Sequence, residues 1–134
     1  MTLLTGGCLC GAIRYEAEGD PFHETLCHCE TCRRATGAPA VAWLTMPRAS
    51  FRFTSGTPTT FASSDEGRRR FCPACGTALT FESSDYPDET DLTAASLDHP
   101  ALAPPRDHTW SNSALEWFWT LHRLPQREKA PPDL

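Results

Sequence analysis

Seven cysteines, arranged in three groups, are the residues of this sequence best suited to chemistry. The groups are Cys8-Leu9-Cys10, Cys27-His28-Cys29-Glu30-Thr31-Cys32 and Cys72-Pro73-Ala74-Cys75. An odd number of cysteines cannot all pair as disulfides, and structural core cysteines would not cluster in this way. Short spacings of this kind are typical of thiolate ligands to a metal ion, above all zinc.

Two of the groups can close a single site. Cys8 and Cys10 share a face if residues 6–18 form a strand, because residues two apart point the same way. Cys72 and Cys75 are similar to a zinc knuckle, in which Gly76 can take a positive φ. Two cysteine pairs far apart in sequence form the usual closed, structural zinc site.

The middle group offers three cysteines, which predicts a different kind of site. Cys27 and Cys29 share a face if the chain is extended, and Cys29 and Cys32 share one if a helix begins between them. Three protein ligands leave a tetrahedral zinc with one position for water or substrate. His28 could complete the site, but in an extended segment it points away from its neighbouring cysteines. We therefore expect this site to be open to a thiol.

Basic and aromatic residues near these groups have two interpretations each. The arginines beside the cysteines could offset thiolate charge or hold a substrate carboxylate, but solvated surface is the simpler interpretation. They are Arg33, Arg34, Arg68, Arg69 and Arg70. The remaining histidines lie outside metal spacing and are expected to be surface or packed residues: His23, His99, His108 and His122. Trp110, Trp117 and Trp119 are expected to be core rather than a substrate platform.

Composition limits the classes of protein that remain. The 134 residues have the length of one domain, and a net charge of −5 argues against nucleic acid or an anionic membrane as partner. Lys129 is the only lysine among twelve basic residues. No stretch approaches the roughly 20 apolar residues of a spanning helix, and the N-terminus does not resemble a signal peptide. A cytoplasmic location is expected, where clustered cysteines bind metal.

Turn signals and short apolar runs predict a mainly β domain with one or two short helices. A helix over residues 31–36 would end at Gly37 and Pro39. We expect one domain over residues 1–125 and a polar, mobile tail over residues 126–134. The predicted strands are residues 6–18, a strand approaching Cys27, and residues 40–45, 51–54, 59–62, 69–71, 78–82 and 92–97. An aromatic-rich segment over residues 114–121 follows them.

The motifs together resemble the glutathione-dependent formaldehyde-activating enzyme family, also called the CENP-V/GFA domain. The resemblance runs from Gly7 to about Pro125. It rests on three cysteine motifs in this order and spacing, with two further motifs after them. They are Gly7-Cys8-Leu9-Cys10-Gly11 with Arg14-Tyr15, Cys27-His28-Cys29-Glu30-Thr31-Cys32-Arg33 with Gly37-Ala38-Pro39, Arg70-Phe71-Cys72-Pro73-Ala74-Cys75-Gly76-Thr77, Ser96-Leu97-Asp98 and His108-Thr109-Trp110.

The resemblance implies an Mss4-like β-tent fold, made of small antiparallel sheets around two zinc sites. It also implies roles for the cysteines. Cys8, Cys10, Cys72 and Cys75 would bind a structural zinc, while Cys27, Cys29 and Cys32 would bind a catalytic one. The family's reaction joins glutathione to formaldehyde, giving S-(hydroxymethyl)glutathione, and is classed as a carbon–sulfur lyase reaction.

Three functional hypotheses follow. The first is a zinc-dependent enzyme acting on a thiol adduct, with glutathione as the thiol partner. The second is a non-catalytic module in which zinc builds the fold and the surface binds a protein or carries a thiol. Nucleic-acid binding by zinc ribbons is disfavoured by the acidic charge balance. The open three-cysteine site favours the enzyme.

Overall fold

The computed structural model describes residues 2–131. The described chain is mainly β, with ten strands, one α-helix (α1) and five short 3-10 helices. The strands are β1 Leu3–Gly7, β2 Arg14–Glu18, β3 Thr25–Cys27, β4 Val41–Pro47, β5 Phe51–Ser55, β6 Thr59–Ala62, β7 Gly67–Phe71, β8 Ala78–Ser83, β9 Glu89–Thr93 and β10 Asp107–Thr109. The helices are α1 Glu30–Thr36 and the 3-10 segments Arg48–Ser50, Ala94–Ser96, Pro100–Leu102, Ser111–Ser113 and Glu116–Arg123.

The strands form two sheets. Three strands pair in the order β1-β2-β5, and seven pair in the order β10-β3-β4-β9-β8-β7-β6. Neighbouring strands are antiparallel except β10 and β3, which run parallel with Thr109 opposite Cys27. The predicted mainly β fold of small antiparallel sheets is thus confirmed, with one parallel pair at an edge.

Alternation along β4 explains how the large sheet serves both the core and a cleft. Leu44 and Met46 point to the core and are fully buried. Trp43 and Thr45 point to the opposite face, because successive side chains of a strand alternate. There Trp43 packs with Cys27 and Cys32 in a second, smaller cluster. The strand therefore joins the main core to the middle cysteine group.

Two predicted strands differ from the structure. Residues 6–18 are a hairpin, with β1 and β2 joined by a turn in which the Gly11 N–H donates to the Cys8 carbonyl at 3.1 Å. Glycines around the cysteines supply turn chemistry that an alternating pattern conceals. Leu9, at the tip of this turn, is 89% exposed, whereas Ile13 and Tyr15 are buried. Likewise, residues 92–97 contain only the end of β9, followed by a 3-10 turn.

The remaining element predictions agree with the structure in position. Helix α1 begins one residue before the predicted start and ends at Gly37, whose φ of 72° places it in the left-handed region. Strand β10 was not predicted. Residues 126–131 are exposed and carry no helix or strand, while residues 132–134 of the predicted tail lie outside the described range. The domain boundary at residue 125 stays a prediction.

Candidate metal centres and the adjoining cleft

Four cysteines meet where two hairpin turns approach each other. Cys8 and Cys10 lie in the β1–β2 turn, and Cys72 and Cys75 lie in the β7–β8 turn. Their four sulfur atoms all lie within 4.8 Å of one another. This contact brings together residues more than 60 positions apart and connects the small sheet to the large one. The predicted pairing of these two groups is confirmed in space, although Cys8 and Cys10 sit in a turn instead of a strand.

The spacing of these sulfurs fits a tetrahedral metal ion. The Cys8 and Cys10 sulfurs are 3.6 Å apart, and those of Cys10 and Cys72 are 3.8 Å apart. Four sulfurs about 2.3 Å from a zinc ion would be separated by about 3.8 Å. The separations also exceed the S–S bond of about 2.0 Å in a disulfide. This cluster is therefore shaped to hold a metal through four thiolates.

Backbone N–H groups and a hydroxyl surround the same sulfurs. The Ile13 N–H donates to the Cys8 sulfur at 3.2 Å, and the Cys75 N–H donates to the Cys72 sulfur at 3.5 Å. The Thr77 hydroxyl lies 3.2 Å from the Cys75 sulfur and lowers the pKa of that thiol to about 5. Gly76 has a φ of 80°, as the knuckle predicted. These donors favour thiolates, which are the form that binds metal.

Three cysteines form the second cluster, at the junction of β3 and α1. Cys27 ends β3, Cys29 is the N-cap of α1, and Cys32 lies in its first turn. The Cys32 N–H donates to the Cys29 sulfur at 3.3 Å. All three sulfurs lie within 4.8 Å of one another. The strand-then-helix arrangement expected from the sequence is therefore present and brings the three thiols to one point.

The second cluster differs from the first in its number of ligands. Among the described residues, the group of potential ligand atoms at this point contains three cysteines and no histidine or carboxylate. His28, which could have completed the set, is fully buried and hydrogen-bonded elsewhere. Three thiols fit a metal ion with one position left for another ligand. The four-plus-three division of the cysteines agrees with the spacing in the sequence.

Two thiols of the three-cysteine cluster differ in pKa. The neighbouring Cys32 thiol lowers the pKa of Cys27, and the Cys29 backbone N–H acts in the same direction. The Cys32 pKa is raised, because its proton is shared with Cys27 and because the side chain is buried. Cys27 is thus the member of this pair that loses its proton first.

A cleft of about 700 Å³ opens beside the three-cysteine cluster. All three cysteines line it, whereas the four cysteines of the other cluster do not. Its walls combine aromatic rings with polar and acidic groups from the large sheet and its loops. These residues are Phe22, His23, Thr25, Trp43, Thr45, Glu66, Arg69, Phe81, Glu82, Ser83, Asp85, Tyr86, Glu89, Asp91, Thr109 and Trp110. The cleft gives a small molecule access to the three-cysteine centre.

Arg69 is the cationic side chain that meets the cysteines. Its Nη2 atom lies 3.5 Å from the Cys32 sulfur. Its guanidinium carbon lies 4.9 Å from the centre of the Phe81 ring and 5.9 Å from that of Trp43. Of the five arginines flanking the cysteine motifs, this is the one that the structure places against the three-cysteine centre. The sequence indicated these five arginines together but not which of them contacts the cysteines.

Asp91 lies on the same face of the sheet, opposite Thr45 of β4. The Thr45 hydroxyl donates to its carboxylate at 2.6 Å. Burial raises the pKa of Asp91 against the opposing effects of Thr45, His23 and Arg69. Asp91 stands outside the cysteine motifs, and the sequence pattern did not indicate it as a site residue. Its alternation with the buried Leu92 would have placed it on the face away from the core, but only the register of β9 with β4 places it opposite Thr45.

The histidines and tryptophans divide between packing and the cleft. His28 packs under Phe118 and Trp119 and shares a hydrogen bond with His108, which is exposed, in agreement with the expectation that His108 is a surface or packed residue. His23 lines the cleft. The expectation that the three tryptophans form a core is wrong: Trp110, Trp117 and Trp119 are 65%, 53% and 46% exposed.

Fold and site together define a mainly β protein built around a closed four-cysteine cluster and an open three-cysteine cluster. Residues 3–113 match the family described as glutathione-dependent formaldehyde-activating enzyme. The chain belongs to this family, as the resemblance in its motifs predicted. The match covers all seven cysteines and the cleft that adjoins three of them.

Individual relatives agree with this assignment. The chain is 27% identical over 124 residues to a protein of Halomonas elongata named putative glutathione-dependent formaldehyde-activating enzyme, covering 86% of this chain and 79% of that protein. It is 37% identical over 76 residues to a Schizosaccharomyces pombe protein named an uncharacterized lyase. That match covers 57% of this chain and spans 55% of the relative's length.

A solved structure shares the fold. The crystal structure of a Rhodobacter sphaeroides protein superposes with a TM-score of 0.61 at 24% identity, covering 78% of this chain and 99% of the other. The likeness supports the two-sheet architecture, the β-tent that the family resemblance implied. Within residues 2–131, no helix is both long enough and apolar enough to cross a membrane.

Proposed function

We propose that this protein is a zinc-dependent lyase-type enzyme that adds glutathione to formaldehyde to form S-(hydroxymethyl)glutathione, and that cleaves this adduct in reverse. In the forward direction a bond forms between the thiol sulfur and the carbonyl carbon. The carbonyl double bond becomes a single bond, and the thiol proton ends on the oxygen. No oxidant or reductant is required. Family membership and the name of the Halomonas elongata relative support this choice of substrates.

The observation that carries the proposal is the position of the three-cysteine cluster on the wall of a 700 Å³ cleft. Closed thiolate sites are structural, whereas sites with three protein ligands keep a position for a reacting molecule. We assign the structural zinc to Cys8, Cys10, Cys72 and Cys75. Cys27, Cys29 and Cys32 would hold the catalytic zinc. When bound, zinc supplies a cation that favours the deprotonated form of a thiol at its fourth position.

The protein's own residues prepare the cleft for such a thiol. Trp43 and Phe81 present aromatic surface beside the cysteines, against which an apolar part of the ligand can pack. Arg69 adds a positive charge next to Cys32, offsetting the excess of thiolate charge. Asp91 holds a proton more readily than an exposed aspartate because burial raises its pKa, which suits it to exchanging a proton with a ligand in the cleft.

A second candidate function is a thiol-carrier or binding module. The observation favouring it is the ligand set itself, since three cysteines surround the same point. A thiolate that is strongly stabilised loses nucleophilicity along with basicity. Such a centre could hold a thiol without accelerating its reaction. The two functions differ in whether the bound thiol exchanges with its aldehyde adduct faster than it does in water.

Exchange NMR between glutathione and its formaldehyde adduct tests the proposal. The rate is measured with zinc-loaded wild-type protein and with Cys29→Ser, and the uncatalysed rate is subtracted. We expect the wild type to accelerate exchange between glutathione and its adduct, and Cys29→Ser to lose this acceleration. Background rates for both proteins, with two zinc ions bound in the wild type, would reject this enzymatic function and favour the carrier.

A further inference from the structure

We infer that Arg69 binds a carboxylate of the thiol ligand, so that the three-cysteine cleft selects thiols that carry a carboxylate group. The inference rests on the proposed function only in placing a thiol at this cluster. It names the residue and the chemical group by which the thiol is recognised.

The position of the Arg69 guanidinium is fixed from two sides. The side chain extends from β7 past Phe81 and Trp43, with its guanidinium carbon 4.9 Å and 5.9 Å from their ring centres. Its Nη2 atom is 3.5 Å from the Cys32 sulfur. Stacked arginines lose little freedom when they bind a ligand, because the planar group is already oriented. A carboxylate on Arg69 would therefore lie close to the metal-binding thiols.

Most of the Arg69 donors are unused. A guanidinium has five N–H donors, and the Cys32 sulfur accepts from one of them. The Nε atom is buried without a hydrogen-bond partner. No carboxylate of the described residues lies within 4.0 Å of this side chain. A half-buried arginine with free donors facing a cleft is suited to a two-point bond with an anion.

Three neighbouring arginines are already paired with carboxylates, whereas Arg33, which has no carboxylate partner among the described residues, does not line the cleft. Arg70 and Arg48 both contact the Glu82 carboxylate, at 2.5 and 2.8 Å. Arg34 pairs with Glu30 at 2.9 Å on the exposed face of α1. The charges of these arginines are neutralised by carboxylates of the protein. Arg69 has no carboxylate partner among the described residues, so its charge acts on the Cys32 sulfur and on a ligand in the cleft.

The charges of the cleft direct an anion to Arg69. It is the only arginine or lysine among the described residues that line the cleft, where five carboxylates also lie. A ligand carboxylate placed elsewhere would face repulsion from side chains such as Glu89 and Asp91. Arg69 and Trp43 also line a second cavity, of about 750 Å³, on the side of α1. A carboxylate-bearing ligand thus has room on either side of the guanidinium.

Calorimetric titration with a matched pair of thiols tests the inference. The zinc-loaded protein is titrated with 3-mercaptopropionate and with its neutral amide, 3-mercaptopropanamide. We expect the wild type to bind the carboxylate at least about tenfold more tightly, the effect of one charge-assisted hydrogen-bonded pair at a partly exposed site. Equal affinities would overturn the inference without the need for any variant.

Two variants test whether Arg69 is the residue responsible for the preference for a carboxylate. Arg69→Gln is expected to lose the preference for the carboxylate while keeping its affinity for the amide, and Arg34→Gln, beside the second cavity, is expected to keep both. Zinc content is measured for each protein. Loss of affinity for both thiols in Arg69→Gln, or an unchanged preference, would overturn the assignment.

This experiment is independent of catalysis. A carboxylate preference without accelerated formaldehyde exchange would support the inference and reject the proposed reaction. Accelerated exchange with no carboxylate preference would support the proposed reaction and overturn the inference. Because binding is measured without formaldehyde, the two failures can be told apart.

Discussion

The imidazole rings of His28 and His108 share a hydrogen bond, with Nε2 of the first 2.8 Å from Nδ1 of the second. His28 lies between Cys27 and Cys29 and is fully buried, and Phe118 and Trp119 pack around the pair. The bond adds to the pairing of β10 with β3 directly behind the three-cysteine cluster. The C-terminal part of the chain thereby fixes the loop that carries the ligands.

Replacing His108 is expected to weaken both the fold and the metal site. In His108→Ala, both ring nitrogens of His28 would be buried without a partner, because Nδ1 already lacks one. An unsatisfied buried polar group costs about 1–3 kcal/mol. We expect chemical denaturation to show a loss of this size and zinc to leave the three-cysteine site at lower chelator concentration.

The exposed His122 provides the control for this prediction. His122→Ala should match the wild type in both measurements. If His108→Ala also retains wild-type stability and zinc affinity, the histidine pair does not support the metal loop.

The two cysteine clusters should differ in what their loss does to the protein. The four-cysteine cluster joins the turns of two sheets, so Cys72→Ser is expected to abolish cooperative unfolding and leave the chain largely unfolded. The three-cysteine cluster lies within one strand–helix junction. Cys29→Ser is expected to stay folded, with one zinc ion per chain in place of two.

Circular dichroism with metal analysis checks this pair of variants. Chelator added to wild-type protein should remove zinc from the open cluster first and unfold the chain only when the second ion leaves. Equal loss of structure in Cys29→Ser and Cys72→Ser would contradict the division of roles.

The cysteines show how much of the site can be predicted from sequence. Spacing alone gave the four-plus-three division, because thiolate ligands must lie within a few residues of one another or meet in pairs. The local conformation was harder to predict. Residues 6–18 were predicted to form one strand, but the chain turns at Cys8–Gly11. Both conformations bring Cys8 and Cys10 together, so the error did not affect the ligand set.

The walls of the cleft could not be predicted in the same way. Arg69, Phe81 and Asp91 come from three strands that are adjacent only through the pairing of β7, β8 and β9. The sequence pattern predicted β7 and β8 but only the end of β9, and it did not predict the order or register of the strands, which decides which side chains share a face. Strand β10 was not predicted for a similar reason. Its three residues pair with β3 across about 80 positions and carry no alternating pattern of their own.

Asp91→Asn is expected to make the protein more stable at neutral pH. Burial raises the pKa of Asp91 in the folded state, so its ionised form is disfavoured by folding. Such a group favours the folded state most at low pH and loses that contribution as pH rises through the folded pKa. An asparagine is neutral throughout and can still accept the hydrogen bond from Thr45. The other charged groups acting on Asp91 are His23, Arg69 and Glu89.

Urea denaturation of zinc-loaded protein between pH 8 and pH 5 checks this expectation. The stability advantage of Asp91→Asn should be largest at the upper end and shrink as pH falls. Asp85→Asn, at a more exposed carboxylate of the same cleft, should show no such pH-dependent gain. A destabilised Asp91→Asn protein at pH 8 would mean that the carboxylate makes a net attractive interaction in the fold.

Trp110 combines backbone strain with a position on the cleft. It is the one described non-glycine residue with a positive φ, at φ 54° and ψ 41°, and its ring is 65% exposed while lining the cleft. The left-handed conformation costs an ordinary residue about 1–2 kcal/mol, and asparagine tolerates it better. Because the ring buries little surface, we expect Trp110→Asn to raise the free energy of unfolding by up to about 1 kcal/mol.

The same substitution should reduce ligand binding, since it removes an aromatic wall of the cleft. Urea denaturation and titration with glutathione measure the two effects in one protein. Trp117→Asn, at an exposed tryptophan with ordinary backbone that does not line the cleft, should gain no stability and bind as the wild type does. Higher stability together with weaker binding in Trp110→Asn alone would indicate that the strained backbone at Trp110 lowers stability while its ring contributes to ligand binding. Lower stability would show that the ring contributes more to packing than its exposure suggests.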